Sequence, residues 1–271
     1  MFTYIDTSVR ERLIEAGNLV RIGPDGGLLA PEDGAVSGSI SILGPIPLPL
    51  ELGEQQYAAQ WFACVRNTEL AKIEDIAEQL RAQNAQESFS RLASSMAVNS
   101  VLLIGDSASW TNPLVRVHSS CMTGDVFGSQ RCDCGPQFQS ALQLINDDEQ
   151  GGILIYMSGH EGRGIGLWAK AATYLLQDGG EDTYQANRSL GLPDDSRDFS
   201  DAATLLKYFR KGGPFRLLTN NPKKVNDLRA AGLTNITPVK HVFGVTDSNR
   251  RYLAAKQGWG HDLTNEDIEP R

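Results

Sequence analysis

The residues best equipped for chemistry lie between Arg116 and Gln137, in the run R-V-H-S-S-C-M-T-G-D-V-F-G-S-Q-R-C-D-C-G-P-Q. Three of the four cysteines, Cys121, Cys132 and Cys134, stand there in a C-x10-C-x-C pattern. Thiolates are soft ligands suited to zinc, and three of them leave one corner of a tetrahedral site for water or substrate. A structural zinc site closes its shell with a fourth ligand; none stands at ligand spacing, although His118 is close enough in sequence to be considered. A lone cysteine would be read as a small buried thiol. Three within fourteen residues, interleaved with Gly and Asp, favour a metal instead. An open zinc site makes water nucleophilic near neutral pH or polarises a substrate.

Three further stretches carry weaker signals. M-S-G-H-E-G-R-G-I-G (157–166) follows an apolar strand, and its glycines would let backbone N–H groups approach a phosphate beside Arg163. It is not a phosphate-loop consensus, because no Lys-Ser/Thr pair follows, and a plain tight turn explains it equally well. T-N-N-P-K-K-V (219–225) sits at a strand-to-helix junction, where unpaired N–H donors, Thr219, Lys223 and Lys224 make an anion site by mechanism. L-P-D-D-S-R-D-F (192–199) packs three aspartates and one arginine into a turn, offering a general base and a phosphate clamp. By composition alone that turn is a helix cap with solvated charges. Tyr174, on a helix, reads by default as a core aromatic with a satisfied hydroxyl.

The elements that must position these residues follow from periodicity. Ser8 to Glu11 reads as a capping box opening a helix that ends at Gly17. N-L-V-R-I-G-P-D-G-G-L-L reads as two short strands about a turn, with further strands at 37–42 and 57–66. The proline-rich G-P-I-P-L-P-L-E between them reads as an edge or a connection. Residues 68–97 show helical periodicity, broken near residue 85. From Val101 onward strands (101–104, 114–117, 153–156, 215–219) alternate with helices (136–145, 167–177, 183–190, 200–209, 222–231, 249–257). The expected fold class is α/β: mixed sheet layers flanked by helices, with a mostly β N-terminal part. The expected organisation is a β-rich part over 1–110 with the helical insertion 68–97, and a catalytic zinc and nucleotide region over 111–271, in one compact unit.

The chain has 271 residues and a net charge of −8, which argues against a general nucleic-acid binder but not against an anionic small substrate. Apolar residues make up 41% and charged residues 21%, no apolar run has the length of a membrane span, and no secretory leader is visible. The cysteine usage fits a reducing cytoplasm, with Cys64 as an inert core residue.

In order along the chain, R-V-H-S-x-C-x-T-G-D-V-F-G-S-x-R-C-D-C-G-x-Q, E-G-R-G-I-G-L, L-Q-D-x-G-x-D-T-x-x-A-N, R-D-F and R-L-L-T-N-N-P-K-K-V closely resemble GTP cyclohydrolase II, the zinc enzyme that opens riboflavin biosynthesis. The resemblance covers roughly 114 to 261, with a fainter tail Y-L-A-A-K-Q-G-W-G-H. It implies Cys121, Cys132 and Cys134 as ligands of one Zn2+ per chain, Mg2+ accompanying the nucleotide, and a homodimer. It implies nucleotide contacts at Arg116, Val117, His118, Ser119, Ser120, Gln137, Glu161, Gly162, Arg163, Thr183, Thr219 and Lys224. Asp195 matches a general base, Arg197 a nucleophile that expels pyrophosphate, and Tyr174 a residue positioning water. The implied reaction opens the guanine imidazole ring of GTP and releases formate. The arginine's role rests on the resemblance alone, because a guanidinium is protonated and a poor nucleophile; a phosphate clamp fits its chemistry as well.

Two departures fall in the implied cleft. Where the family usually reads Y-x-R-Q-E-G-R, this chain reads Y-M-S-G-H-E-G-R, so His160 precedes Glu161, and His160 replaces the lost arginine's charge only when protonated. Family members usually read H-S-E-C; here Ser120 gives H-S-S-C. These changes keep open a cyclohydrolase with another nucleotide substrate or a formylated product. A zinc deaminase is disfavoured by the missing P-C-x-x-C. A non-enzymatic nucleotide sensor is disfavoured because the three cysteines, Tyr174, Asp195 and Arg197 are retained together.

Overall fold

The computed structural model describes residues 5–30, 33, 36–52, 55–71 and 97–269. Its centre is one eight-stranded mixed sheet in the order β1-β2-β3-β4-β6-β5-β7-β8. The strands are β1 (Leu19–Ile22), β2 (Ile40–Leu52), β3 (Gln55–Arg66), β4 (Asn99–Ile104), β5 (Leu114–Ser119), β6 (Gly152–Met157), β7 (Phe215–Leu218) and β8 (Ile236–Val239). From β1 to β6 every neighbouring pair is antiparallel, whereas β6, β5, β7 and β8 run parallel. The sheet therefore carries the α/β character expected from the sequence.

Alternation decides which helix covers which face. Val101, Leu103, Val115, Val117, Ile153 and Ile155 point into one core with Phe199, Leu205, Leu206 and Leu228. Leu102, Ile104, Leu114 and Leu154 point into the other, against Ala141, Leu142 and Ile145. The central strands are continuous apolar runs because both faces are covered. Among the described residues the longer helices are α1 (Thr7–Glu15), α2 (Cys134–Asp147), α3 (Gly166–Asp178), α4 (Thr183–Ser189), α5 (Ser200–Arg210), α6 (Pro222–Ala230) and α7 (Arg250–Gly258). Thus α2 lies on one face and α5 with α6 on the other.

Several local expectations shift by a residue or two. The cap of α1 is Asp6, whose carboxylate accepts from Ser8 N, so Ser8 is inside the helix and the Ser8–Glu11 box does not form. Ser200 likewise sits inside α5, and Asp198 accepts from its backbone N–H. Gly17, just past α1, has φ 70°, as the end of the helix requires. The second strand expected after the Pro24-Asp25 turn is reduced to an isolated bridge, Ile22 to Leu28. Of the two readings of the proline-rich run, the edge holds and the connection does not: it is the outer half of β2, where β1 pairs with residues 40–43 only, so Pro47 and Pro49 fall where β3 alone is a neighbour. Residues 67–71 are helical, and the rest of the expected helical stretch 68–97 lies outside the described residues, apart from Ala97. Cys64 is fully buried, and burial raises its thiol pKa, in keeping with an inert core residue. No helix among the described residues is long and apolar enough to cross a membrane.

Candidate active site

Parallel strands bring their carboxyl ends to one edge of a sheet, and ligand sites form in the crevice beyond that edge. Here Ser119 ends β5 and leads to Ser120 and Cys121, the glycine turn 158–166 leaves β6, and Thr219 follows β7. One pocket is lined by residues from all three.

The sulfurs of Cys121, Cys132 and Cys134 lie within 4.8 Å of one another, and no other described His, Cys, Asp or Glu joins that group. His118 does not: its Nε2 is 3.1 Å from Asp125, and its ring stacks on Tyr156. Asp125 fixes the first cysteine from behind, accepting from Cys121 N at 2.9 Å and from Tyr156 Oη at 3.0 Å. The loop closes this tightly because residue 124 is glycine; a Cβ there would stand 3.0 Å from Cys132 Sγ and 3.1 Å from Cys121 Sγ. Lys170, buried on α3, donates to Cys121 Sγ at 3.1 Å and to Glu161 Oε1 at 2.6 Å. The neighbouring thiols Cys132 and Cys134, and then Lys170, hold Cys121 well below the ordinary thiol pKa. Cys132, bonded to that thiolate, is pushed up to about 12. Three sulfurs, one already disposed to ionise and neutralised by an ammonium, suit a zinc ion with one position open.

The glycine turn is a local device. Gly162, Arg163 and Gly164 have φ of 61°, 64° and 88°. A left-handed arginine is uncommon, and here the turn lays its guanidinium over the Tyr184 ring at 3.9 Å with both terminal nitrogens buried and unpartnered. Glu161 is committed to the metal loop: besides Lys170 it accepts from Met122 N at 2.6 Å. The aspartates of the 192–199 turn divide three tasks. Asp194 pairs with Arg188, Asp198 accepts from Ser200 N and pairs with Arg66, and Asp195 grips Arg197 through Nε at 2.9 Å and NH2 at 2.7 Å. Despite burial, that grip keeps the Arg197 guanidinium pKa raised and the Asp195 pKa lowered.

Of the residues expected at the site, Arg116, His118, Ser119, Ser120, Gln137, Glu161, Gly162, Arg163, Thr183, Thr219, Lys224, Tyr174 and Arg197 line the pocket with the three cysteines. Val117 and Asp195 do not. Val117 is buried in the core, and its carbonyl accepts from Lys224 Nζ at 2.6 Å; Asp195 reaches the pocket only through Arg197. Tyr174 is a pocket residue rather than a core aromatic, its hydroxyl 3.0 Å from Thr123 Oγ1. Sequence reading missed Lys170, Arg131, Asn187, Tyr252, Lys256 and His261, all of which line the pocket. Lys170 stands one helical turn before Tyr174 on the same face, but that spacing alone does not separate it from a solvated lysine.

Burial lowers the pKa of Lys224, and Arg116, Arg197 and Lys256 lower it further. Arg116, Arg131, Arg163 and Arg197 line the cleft with Lys170, Lys224 and Lys256, a basic set that suits a polyanion. His160 adds no charge to it. The carbonyl of Asp198 can only accept, so Nε2 donates to it at 2.9 Å, and Nδ1 accepts from Ser119 Oγ at 3.1 Å. Burial brings this ring's pKa down to about 4, and those of His241 and His261 to about 3. The unfolded chain takes up these protons below the ordinary value of 6.5, and the folded chain does not until pH 4 or 3. Stability present above pH 6.5 is therefore lost as pH falls through that window. Each ring contributes about 1 kcal/mol of that loss by pH 5.5. Urea unfolding at pH 7.5 and 5.5 should show a lower midpoint at 5.5; equal midpoints would contradict three neutral buried rings.

Comparison with known proteins bears on this arrangement. The family model for GTP cyclohydrolase II matches residues 77–240, more than half of the 271. The protein named riboflavin biosynthesis protein RibBA from Nocardia farcinica (strain IFM 10152) is 49% identical over 167 residues, covering 61% of this chain and 40% of the relative. The RibBA protein of Mycobacteroides abscessus is 50% identical over 158 residues, 58% of this chain and 37% of the relative. That of Mycobacterium marinum is 47% identical over 166 residues, 61% and 39%. The matches thus span about two fifths of the length of these relatives.

Proposed function

Because this chain belongs to the GTP cyclohydrolase II family, we propose that it hydrolyses the guanine imidazole ring of GTP, releasing formate and pyrophosphate. The product is 2,5-diamino-6-ribosylamino-pyrimidinone 5'-phosphate, the opening intermediate of riboflavin biosynthesis, formed in the cytoplasm by a homodimer. The observation that carries this reading is one pocket in which the three-cysteine group adjoins Arg116, Arg163, Arg197 and Lys224. Such a cleft unites a group that activates water with a seat for a triphosphate and its Mg2+.

Cys121, Cys132 and Cys134 would hold zinc, which supplies Lewis acidity toward water and the purine ring. The remaining chemistry belongs to the chain. Tyr174, oriented by Thr123, holds its hydroxyl in the pocket shared with the cysteines, where it can orient the attacking water. Lys170 balances the thiolate charge and ties Cys121 to Glu161. Arg163, with its terminal nitrogens unpartnered, takes phosphate oxygens, and so does Arg197, which Asp195 keeps protonated and aimed. In this reading Arg197 is a clamp and Asp195 its holder.

A second reading, a different nucleotide or a formylated product, is favoured by one contact. Ser120 Oγ donates to the carbonyl of Ser158 at 2.9 Å, so the two departures from the family pattern meet at the cleft. Zinc-loaded protein incubated with Mg2+ and GTP, followed by mass spectrometry and a formate assay, distinguishes the two. Formate, pyrophosphate and the pyrimidine ribotide in equal amounts are expected. Unchanged GTP, with turnover of another nucleotide or a product retaining the formyl group, would establish the second reading.

A further inference from the structure

The far wall of the pocket is built by residues beyond the stretch that matches the family model: Tyr252, Lys256, His261 and Leu263. This wall is fastened at three points. Lys256 Nζ donates to Asp133 Oδ1 at 2.7 Å, and Asp133 lies between two of the cysteines. Trp259 stacks on Tyr184 with ring centroids 4.1 Å apart and planes 19° apart, and Tyr184 also carries Arg163. The backbone N–H of Asp262 donates to the carbonyl of Asn220, in the loop that follows β7. A segment bound to the metal loop, to α4 and to the β7 loop belongs to the site's framework.

Within this wall His261 is out of balance. Its Nδ1 is buried and has no hydrogen-bond partner, the same condition as the terminal nitrogens of Arg163. A buried polar atom left unpaired is costly, and native sites leave one where a ligand or water completes it. The charges that act on the ring come chiefly from Lys256, Arg163 and Arg197, with Asp133 opposing them, so the space His261 faces is cationic. Burial keeps the ring neutral, which leaves it one N–H to give.

We propose that His261 is a substrate-binding residue, donating a hydrogen bond to a phosphoryl oxygen of the nucleotide, and that the segment 252–263 is the wall that holds it there. The proposal rests on the nucleotide reading of the site but not on turnover. His261 then completes a phosphate seat shared with Arg163, and Lys256 is a positioning residue whose bond to Asp133 ties that wall to the cysteine loop.

The test uses the full-length, metal-loaded protein and two probes, inorganic tripolyphosphate with Mg2+ and guanosine, each titrated by calorimetry. His261→Ala should weaken tripolyphosphate binding by about tenfold or more and leave guanosine within twofold, as expected for a lost hydrogen bond to a charged group. His261→Gln, which keeps an N–H donor, should recover most of the loss. The proposal is overturned if guanosine alone weakens, if both probes weaken equally, if neither changes, or if the wild-type protein does not bind tripolyphosphate. Failure of GTP turnover in a protein that still shows the tripolyphosphate difference would count against the cyclohydrolase reading and leave the His261 assignment standing.

Discussion

Replacing Cys132 by Ser should yield a folded protein that neither retains zinc nor releases formate from GTP. The three sulfurs are the whole of the ligand group among the described residues, so the variant keeps two thiolates and a hard hydroxyl, a poor match for a soft metal site. The loop itself should survive, because Asp133 remains held by Lys256 and Gln137, and Asp125 still holds the backbone of Cys121. Losing Lewis-acid assistance worth several kcal/mol corresponds to a fall of about a thousandfold or more in kcat. Metal content by mass spectrometry, read beside formate release and a melting curve, checks the expectation. One equivalent of zinc with near-normal turnover in this variant would sink the three-cysteine assignment.

Arg197→Lys should cost about two orders of magnitude in kcat/KM while leaving the melting temperature nearly unchanged. Asp195 grips the guanidinium through two nitrogens, and a third nitrogen is 3.4 Å from Ser119 Oγ. Lysine offers a point charge in place of that fork, so one or two charge-assisted bonds to phosphate are lost, together about 3 kcal/mol. A clamp permits the residual rate; a nucleophilic arginine does not. The decisive companion measurement is intact-protein mass spectrometry of the wild-type enzyme quenched during turnover. A nucleotidyl adduct on Arg197, absent from the lysine variant, would refute the clamp and restore the nucleophile. Asp195→Asn should mimic Arg197→Lys, since it frees the same guanidinium.

The cysteine cluster, the buried strands and the two strand-to-helix junctions were legible because each has a sequence signature that survives folding: spacing, an apolar run, a turn residue. Lys170, Lys256 and His261 were not, for a physical reason. A lysine on an amphipathic helix is ordinarily solvated, and only the pocket geometry reveals that Lys170 points at a thiolate and Lys256 at Asp133. His160 illustrates the converse. Its position beside Glu161 invites the reading of a conditional charge, but Ser119 and Asp198 occupy both ring nitrogens and favour the neutral form. Asp195 and Val117, expected to meet substrate, hold residues that line the pocket, Arg197 through a carboxylate and Lys224 through a carbonyl, and spacing alone does not show that.

The outer half of β2 bears on how copies of this chain can associate. Pro47 and Pro49 are two residues apart, so the nitrogens that lack a hydrogen fall on one side of the strand. Among the described residues no strand pairs there besides β3. An incoming strand would meet carbonyls without the donors that a ladder needs at those positions, and the margin resists both fibre-like stacking and exchange of strands between copies. Self-association of this protein is thereby steered away from this margin, toward contacts made by side chains.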